Sequence, residues 1–281
     1  MTQLLDNPIV RRENYNIAMR QSMMDKMFFM DKIGSGVKRI LDWGCADGSL
    51  IKYMHRMFPE HAYTGYDIDP QMFRAAKQMV AGLDSGVEKV NIEICANIDN
   101  IAVGQIDVVV LNSVIHEVYS YGLKHIDEFW HTLFQRLQPE YIVVRDMCVS
   151  KPTSRPSDPI CVARIKQVFD LDKIAQWESK WGSLHENWSL VHFLLTYRYD
   201  DNWDREYREN YLPIAFEDLL ARFPRTYVPV FVEHYTLPFL REQVMDKFGI
   251  QLQDRTHLKL ILKKVDLTDA QIGDILYKEL K

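Results

Sequence analysis

Four cysteines in 281 residues (Cys45, Cys95, Cys148 and Cys161) form no Cys-x-x-Cys pair and no zinc-like spacing. That excludes a disulfide framework as the organising principle. Three of them lie in or beside stretches that read as strands, where a free thiol packs as a small apolar residue. No cluster of His, Asp and Glu has ligand spacing, so no metal is expected. Positive charge is not in excess: 34 Lys and Arg face 39 Asp and Glu, for a net charge of −5. A large nonspecific nucleic-acid surface needs clustered Lys and Arg and is therefore not expected, although a local basic patch remains open. No apolar run reaches membrane-spanning length, and the N-terminus has no signal-like apolar stretch. The expectation is a reduced, cytoplasmic protein with no membrane partner. Internal repeats and low-complexity segments are also missing.

What is present is enough apolar content, 47%, for a folded core. The length is generous for one minimal domain, so a core with an elaboration is expected. Residues 14–33 read as a helix ended by Gly34. Strands and helices then alternate: strand 37–42, helix 49–58, strand 62–67, helix 70–82, strand 88–95, a short helix at 98–103, strand 106–112, helix 122–137 and strand 141–146. Such alternation implies a parallel sheet with helices on both faces. The turn-rich run 151–159 reads as a linker. Residues 160–222 look mainly helical and aromatic-rich, and most of these aromatics are expected to form the insert's own core. Late strands at 227–235 and 256–264, with a helix-like stretch 240–248 between them, would complete the sheet as an antiparallel hairpin. A terminal helix is expected over 267–280.

Two segments carry the most chemistry. Residues 40–48, Ile-Leu-Asp-Trp-Gly-Cys-Ala-Asp-Gly, read as a buried strand entering a glycine turn and a helix. Residues 63–69, Tyr-Thr-Gly-Tyr-Asp-Ile-Asp, read as the next strand ending in an acid. Asp67 follows Gly48 by 19 residues, about the spacing at which a strand-end carboxylate reaches a ribose. The pair proposes a nucleoside-bearing cofactor at the carboxyl edge of the sheet. The glycines are spaced Gly-x-x-x-Gly rather than Gly-x-Gly-x-x-Gly, and Asp47 in the turn would repel a pyrophosphate. A ligand without phosphate and with a cationic amino-acid end suits it better.

With these residues the chain resembles the class I S-adenosylmethionine-dependent methyltransferases. Leu41-Asp42-Trp43-Gly44-Cys45-Ala46-Asp47-Gly48 is similar to the family's Leu-Asp-x-Gly-x-Gly-x-Gly, with Ala46 at the middle glycine. Gly65-Tyr66-Asp67-Ile68-Asp69-Pro70-Gln71-Met72 and Ile106–Ser113 resemble the later motifs, in the right order. The resemblance implies a Rossmann-like, doubly wound, mostly parallel seven-stranded sheet with a late antiparallel hairpin and a mainly helical insert. The expected division is an N-terminal helical segment (1–36), a cofactor-binding core (37–150), an insert or lid (151–222), the last two strands (223–265) and a C-terminal helix (266–281).

The resemblance also implies site roles. Asp42, Gly44, Cys45, Ala46, Asp47 and Gly48 shape the methionine-end pocket of S-adenosylmethionine. Asp67 binds the ribose, Ile68 and Met72 flank the adenine, and Asn97 accepts from the adenine amino group. For Asp67 a turn residue, for Asp47 a solvated turn acid and for Asn97 a helix cap are the bland alternatives. Asn112 and Ser113 end the fourth strand and border both cofactor and acceptor. His116 is a candidate general base, since imidazole titrates near neutral pH, and Glu117 is a candidate to orient it or to neutralise a cationic acceptor. A structural hydrogen bonder is the alternative for His116. Tyr119, Tyr121 and Arg145 are candidates to contact the acceptor, Arg145 through a carboxylate or phosphate or else paired with Asp146. The expected function is methyl transfer to O or N of a small or medium polar acceptor. Alternatives are an RNA or tRNA methyltransferase, with a basic stripe at Arg198, Arg205, Arg208, Arg222 and Arg225, and a non-catalytic binding or assembly protein. Partners are a small-molecule or RNA acceptor, with a homo-oligomer or protein partner open through the insert or the C-terminal helix. Tyr15 is placed to close over the cofactor.

Overall fold

The computed structural model describes residues 23–83, 90–102, 104–120 and 123–265. Tyr15, Tyr121 and the C-terminal helix at 266–281 therefore lie outside the described residues. Seven strands form one sheet: β1 (Arg39–Trp43), β2 (Ala62–Tyr66), β3 (Ile92–Cys95), β4 (Val108–Asn112), β5 (Tyr141–Met147), β6 (Tyr227–Tyr235) and β7 (His257–Lys264). Their order across the sheet is β3-β2-β1-β4-β5-β7-β6. The first five pair in parallel, while β7 runs antiparallel to both β5 and β6. The central strands are buried from both sides, as a covered parallel sheet requires; every residue of Val108–Asn112 is buried.

Alternation along the strands sorts the core into two layers. Ile40, Val108, Val110, Tyr141, Val143 and Ile261 face one layer, closed by Met23, Met27, Phe29, Leu50, Ile51 and Met54. Leu41, Trp43, Val109, Leu111, Ile142 and Val144 face the other, closed by Phe129, Trp130, Leu133, Leu219, Leu220 and Phe223. The expected long N-terminal helix is corrected in its described part. A single helical turn, α1 (Met23–Lys26), gives way to turns, with Ile33 N donating to Phe29 O. Met27 and Phe29 are both buried, which no straight helix face allows, so the chain unwinds to sink both.

Two helices start on the same device. Asp69 accepts from Gln71 N at 2.7 Å and Asp158 from Ile160 N at 2.9 Å, each followed by a proline at the first helical position. The expected linker at 151–159 is instead tied down. The Asp254 carboxylate collects both Nη atoms of Arg155 at 2.8 Å, Asn187 Nδ2 at 3.1 Å and the Thr153 hydroxyl at 3.2 Å. Beyond it, helices from Pro159 to Glu206 pack Trp177, Leu190, Phe193, Leu194 and Trp203 into a second core that they share with Tyr211 and with Leu240, Val244 and Phe248 of the helix Pro238–Phe248.

Gly44 has φ +81° and Gly48 φ +77°, and a Cβ on Gly44 would stand 2.7 Å from Val114 Cγ2. A side chain there meets left-handed backbone strain and a stiff β-branched neighbour together. Gly44→Ala is expected to lower stability by about 2–3 kcal/mol, the two penalties combined. Urea unfolding followed by circular dichroism measures it, and an unchanged midpoint would contradict the turn geometry.

Candidate active site

The carboxyl ends of β1, β2 and β4 converge on the glycine turn. Gly44 N and Cys45 N both donate to Tyr66 O, at 2.7 and 3.0 Å, which folds the end of β1 against β2. Ala46 takes φ +47°, so the position that departs from glycine still adopts a left-handed conformation. Asp67 fixes it there: Ala46 N donates to Asp67 Oδ2 at 2.8 Å and Asp69 N to Oδ1 at 2.9 Å. Burial raises the Asp67 pKa, against the pull of those two backbone donors. Asp47 accepts from Ser49 N at 3.0 Å. Ile68 is 74% exposed, an apolar side chain at the rim with no protein cover, and Met72 is half-buried. Asp99 N donates to the Asn97 side-chain oxygen at 2.9 Å, which caps a short turn at Ile98–Asn100. That is the capping arrangement rather than an oxygen held open for a base.

One layer of the sheet carries a polar row at this edge. Asp42, Asn112 and Arg145 occupy it by alternation, Asn112 lying opposite Arg145 in the β4–β5 register. Burial pushes Asp42 up to about 7, with Lys26 pulling down and Asp67 pushing further up. Asn112 is 9% exposed, yet neither its Oδ1 nor its Nδ2 has a partner. A buried amide with both ends unused costs free energy unless something else satisfies it. A zwitterionic nucleoside ligand fits this set: Asp67 offers acceptors to ribose, Asp42 a carboxylate to an ammonium, and Asn112 a donor and an acceptor. Ser113, with φ +58°, donates its N–H to Arg145 O at 2.7 Å and turns the chain toward the helix Ile115–Ser120.

Arg145 does not pair with Asp146. Neighbours on a strand point to opposite faces, and Arg145 Nε instead donates to Asp25 Oδ2 at 2.6 Å. Asp146 turns to the other layer and holds His116. His116 Nδ1 lies 2.6 Å from Asp146 Oδ1, while Ile115 N donates to Oδ2 at 2.8 Å. Both side chains are buried. Burial opposes the imidazolium, but the Asp146 carboxylate overcomes it, and the His116 pKa is pushed up to about 9. The partner that orients His116 is thus Asp146, not Glu117. Glu117 instead stands with His116 and Glu209, ligand atoms of the three lying within 4.8 Å of one another. Burial pushes Glu117 up to about 7, against the attraction of His116 and with Glu209 and Asp146 adding repulsion. A divalent cation has three candidate ligands here, which the sequence spacing did not suggest because Glu209 comes from the insert.

The insert packs against His116. The Tyr211 ring meets the His116 ring edge-on at 5.4 Å, and Tyr211 N donates to His192 Nε2 at 3.0 Å. Burial drives His192 down to about 3, so it stays neutral and accepts. Tyr119 accepts from Trp130 Nε1 at 3.3 Å and borders a surface cavity of about 560 Å³ with Pro213, Ile214 and Arg222. Sequence reasoning missed Lys26, Glu209, His192 and Tyr211; the signal for Asp146 was its place at a strand tip. Of the suggested basic stripe, Arg198 stacks on Tyr199 and Phe239, and Arg205 pairs with Glu209 at 3.2 Å.

Residues 41–140 match the family model described as a methyltransferase domain. No curated relative matches the chain in sequence. Among solved structures, the chain is similar to geranyl diphosphate C-methyltransferase from Streptomyces coelicolor A3(2), solved with Mg2+, geranyl diphosphate and S-adenosyl-L-homocysteine. The TM-score is 0.54 at 11% identity, over 92% of this chain and 85% of that one. It is also similar to the pyocyanin biosynthetic protein PhzM, with a TM-score of 0.54 at 12% identity, over 92% of this chain and 59% of that one. These likenesses bear out the fold, including the antiparallel last strands. Among the described residues no helix is long and apolar enough to cross a membrane.

The raised His116 pKa makes a stability prediction. Folding favours the protonated ring, so this contribution is complete below the ordinary histidine pKa near 6.5 and is lost as pH rises through about 9. Unfolding free energies measured from pH 6 to 9.5 are expected to fall over that window in the wild type and to flatten in Asp146→Asn. Parallel curves would contradict the pairing.

Proposed function

From the class I, S-adenosylmethionine-dependent methyltransferase domain that this chain carries over residues 41–140, we propose that the protein methylates an oxygen or nitrogen of a small or medium polar acceptor, with His116 as the general base. The observation that carries this reading is the buried His116–Asp146 pair at 2.6 Å, set directly after the strand whose end carries the orphaned Asn112 amide. When bound, S-adenosylmethionine supplies a methyl group on a sulfonium for in-line displacement. Asp67 and the Gly44–Gly48 turn hold the nucleoside, Ile68 and Met72 flank the adenine, and Asp42 with Asn112 meets the amino-acid end. Asn97 serves the turn it caps.

Asp146 fixes Nδ1 of His116, which leaves Nε2 as the nitrogen that takes a proton from the acceptor. A carbon acceptor, as the Streptomyces enzyme's name describes for that protein, would need the same base. Orientation and the exclusion of water supply the remainder of the rate. Tyr211 and the insert exclude water from that side, and Tyr119 borders the acceptor approach. Arg145 is removed from acceptor binding by its ion pair with Asp25.

Calorimetric titration with S-adenosylhomocysteine tests the cofactor site: saturable binding is expected, and Asp67→Ala should weaken it by roughly tenfold or more, the worth of a charge-assisted hydrogen bond. With an acceptor found by screening against radiolabelled cofactor, His116→Asn should lower kcat by about 10²–10⁴-fold while leaving cofactor binding intact. The rate should climb with pH toward about 9, since the neutral imidazole is the base, and Asp146→Asn should move that limb to lower pH. Unchanged turnover in His116→Asn would remove it from the chemistry.

A further inference from the structure

A polar cavity lies on the insert and shares no residue with the glycine turn or with the surroundings of His116. The helix Asn187–Thr196 runs on into the short segment Tyr197–Asn202, which packs against the helix Pro238–Phe248. Between them is a surface cavity of about 400 Å³, lined by Tyr197, Arg198, Gln243, Asp246 and Lys247. Packing fixes the first two. The Tyr197 ring meets the Phe248 ring edge-on, with centroids 4.8 Å apart, and stacks on Phe193 at 6.4 Å. The Arg198 guanidinium lies over the Tyr199 ring at 4.8 Å and the Phe239 ring at 5.4 Å, and its Nη2 donates to the Tyr199 hydroxyl at 2.8 Å. Both side chains are thus held at the cavity by aromatic neighbours.

Their polar atoms are left over. Tyr197 is 6% exposed, and its buried hydroxyl has no hydrogen-bond partner. Arg198 is half-buried, and its Nε has none either. Among the described residues no carboxylate forms an ion pair with Arg198. An orphaned buried donor costs free energy, and a guanidinium drawn partly out of water without a counter-ion adds to that cost. Burial raises the Tyr197 pKa against the pull of Arg198, so the hydroxyl keeps its proton and is available to donate. Two unpaired donors, adjacent in sequence and lining one cavity, are half of a hydrogen-bonding site whose acceptor is missing. The lining also sets the sign of the charge: Arg198 and Lys247 stand against Asp246.

We propose that this cavity binds a small molecule that ends in a carboxylate or a phosphate, with anionic oxygens accepting from the Tyr197 hydroxyl and from Arg198 Nε. The donors suit an oxyanion: a guanidinium offers N–H groups in one plane, matched to paired oxygens, and the hydroxyl adds a donor from a second side chain. A cation would meet Arg198 and Lys247, and an apolar ligand would leave both donors unpaired, so neither class fits. The volume is that of a small-metabolite site. None of its residues takes part in holding the cofactor or the His116 ring, so this site stands or falls apart from the methyl-transfer reading.

The Nε–H group of Arg198 reports on the site directly. In nuclear magnetic resonance spectra of the full chain with isotope-labelled arginine, one Nε–H signal, absent from Arg198→Lys, is expected to shift saturably with inorganic phosphate, with acetate or with both. The midpoint should be roughly millimolar, as suits so small a probe, and chloride at the same ionic strength should not reproduce the shift. The ion that saturates the signal identifies the terminal group. Tyr197→Phe should weaken that binding roughly tenfold, the worth of a hydrogen bond to a charged group. The same variant should melt no lower than the wild type, because it keeps the ring and removes a hydroxyl that had no partner. The wild-type titration and Tyr197→Phe carry the test even if Arg198→Lys does not fold. No saturable shift with either oxyanion, or an equal response to chloride, overturns the site. So does a Tyr197→Phe variant that binds as the wild type does, or one that melts lower, which would show the hydroxyl to be bonded within the protein already.

Discussion

Strand β5 ends in two opposite charges that cannot face the same way. The period-two geometry of a strand sends Arg145 to one layer of the sheet and Asp146 to the other. Most of the polar architecture follows from that separation. On one side Arg145 captures Asp25 and fastens the N-terminal segment across the sheet edge. On the other, Asp146 receives two backbone N–H groups from the start of the helix after β4 and locks the His116 ring. Had the two charges paired with each other, neither the N-terminal segment nor the imidazole would have a fixed anchor.

The two halves carry charge differently. Around Asp25 the ions are matched and their carboxylate is held below its ordinary range, since two cations and a phenol outweigh the burial that would raise it. Around His116 the acids exceed the cations: Asp146, Glu117 and Glu209 face one imidazolium and Arg205, and Glu117 is raised first by burial, with Glu209 and Asp146 adding repulsion. Buried charge of one sign is expensive unless a ligand or a proton offsets it. Such imbalance marks functional positions more often than structural ones. The second half is where chemistry is expected.

The succession of strands and the glycine turn were legible because they depend on local signals: apolar runs of strand length, a Gly-x-x-x-Gly turn and a strand-tip acid at the right distance. The placement of Asp67 on the turn follows from those signals. The partner of His116 was not legible. Glu117 is adjacent in sequence, but helix geometry carries it away from the ring nitrogen that Asp146 reaches across the sheet edge. Glu209 and Tyr211 reach the site from an insert whose path no periodicity encodes. The N-terminal helix was overread for a similar reason: helical spacing of Met and Phe cannot announce that Met27 and Phe29 will both be buried by unwinding. Asn97 takes the capping geometry that its propensity suggests.

The 41–140 stretch holds Asp42, Asp67, Asn112 and His116, but not the groups bonded or packed around them from elsewhere in the chain. Asp25 and Lys26 come from before it; Asp146, Glu209 and Tyr211 come from after it. Each set is bonded to β5 or packed on the ring that β5 positions. Arg145 and Asp146 thus tie the N-terminal segment and the imidazole to adjacent residues of one strand.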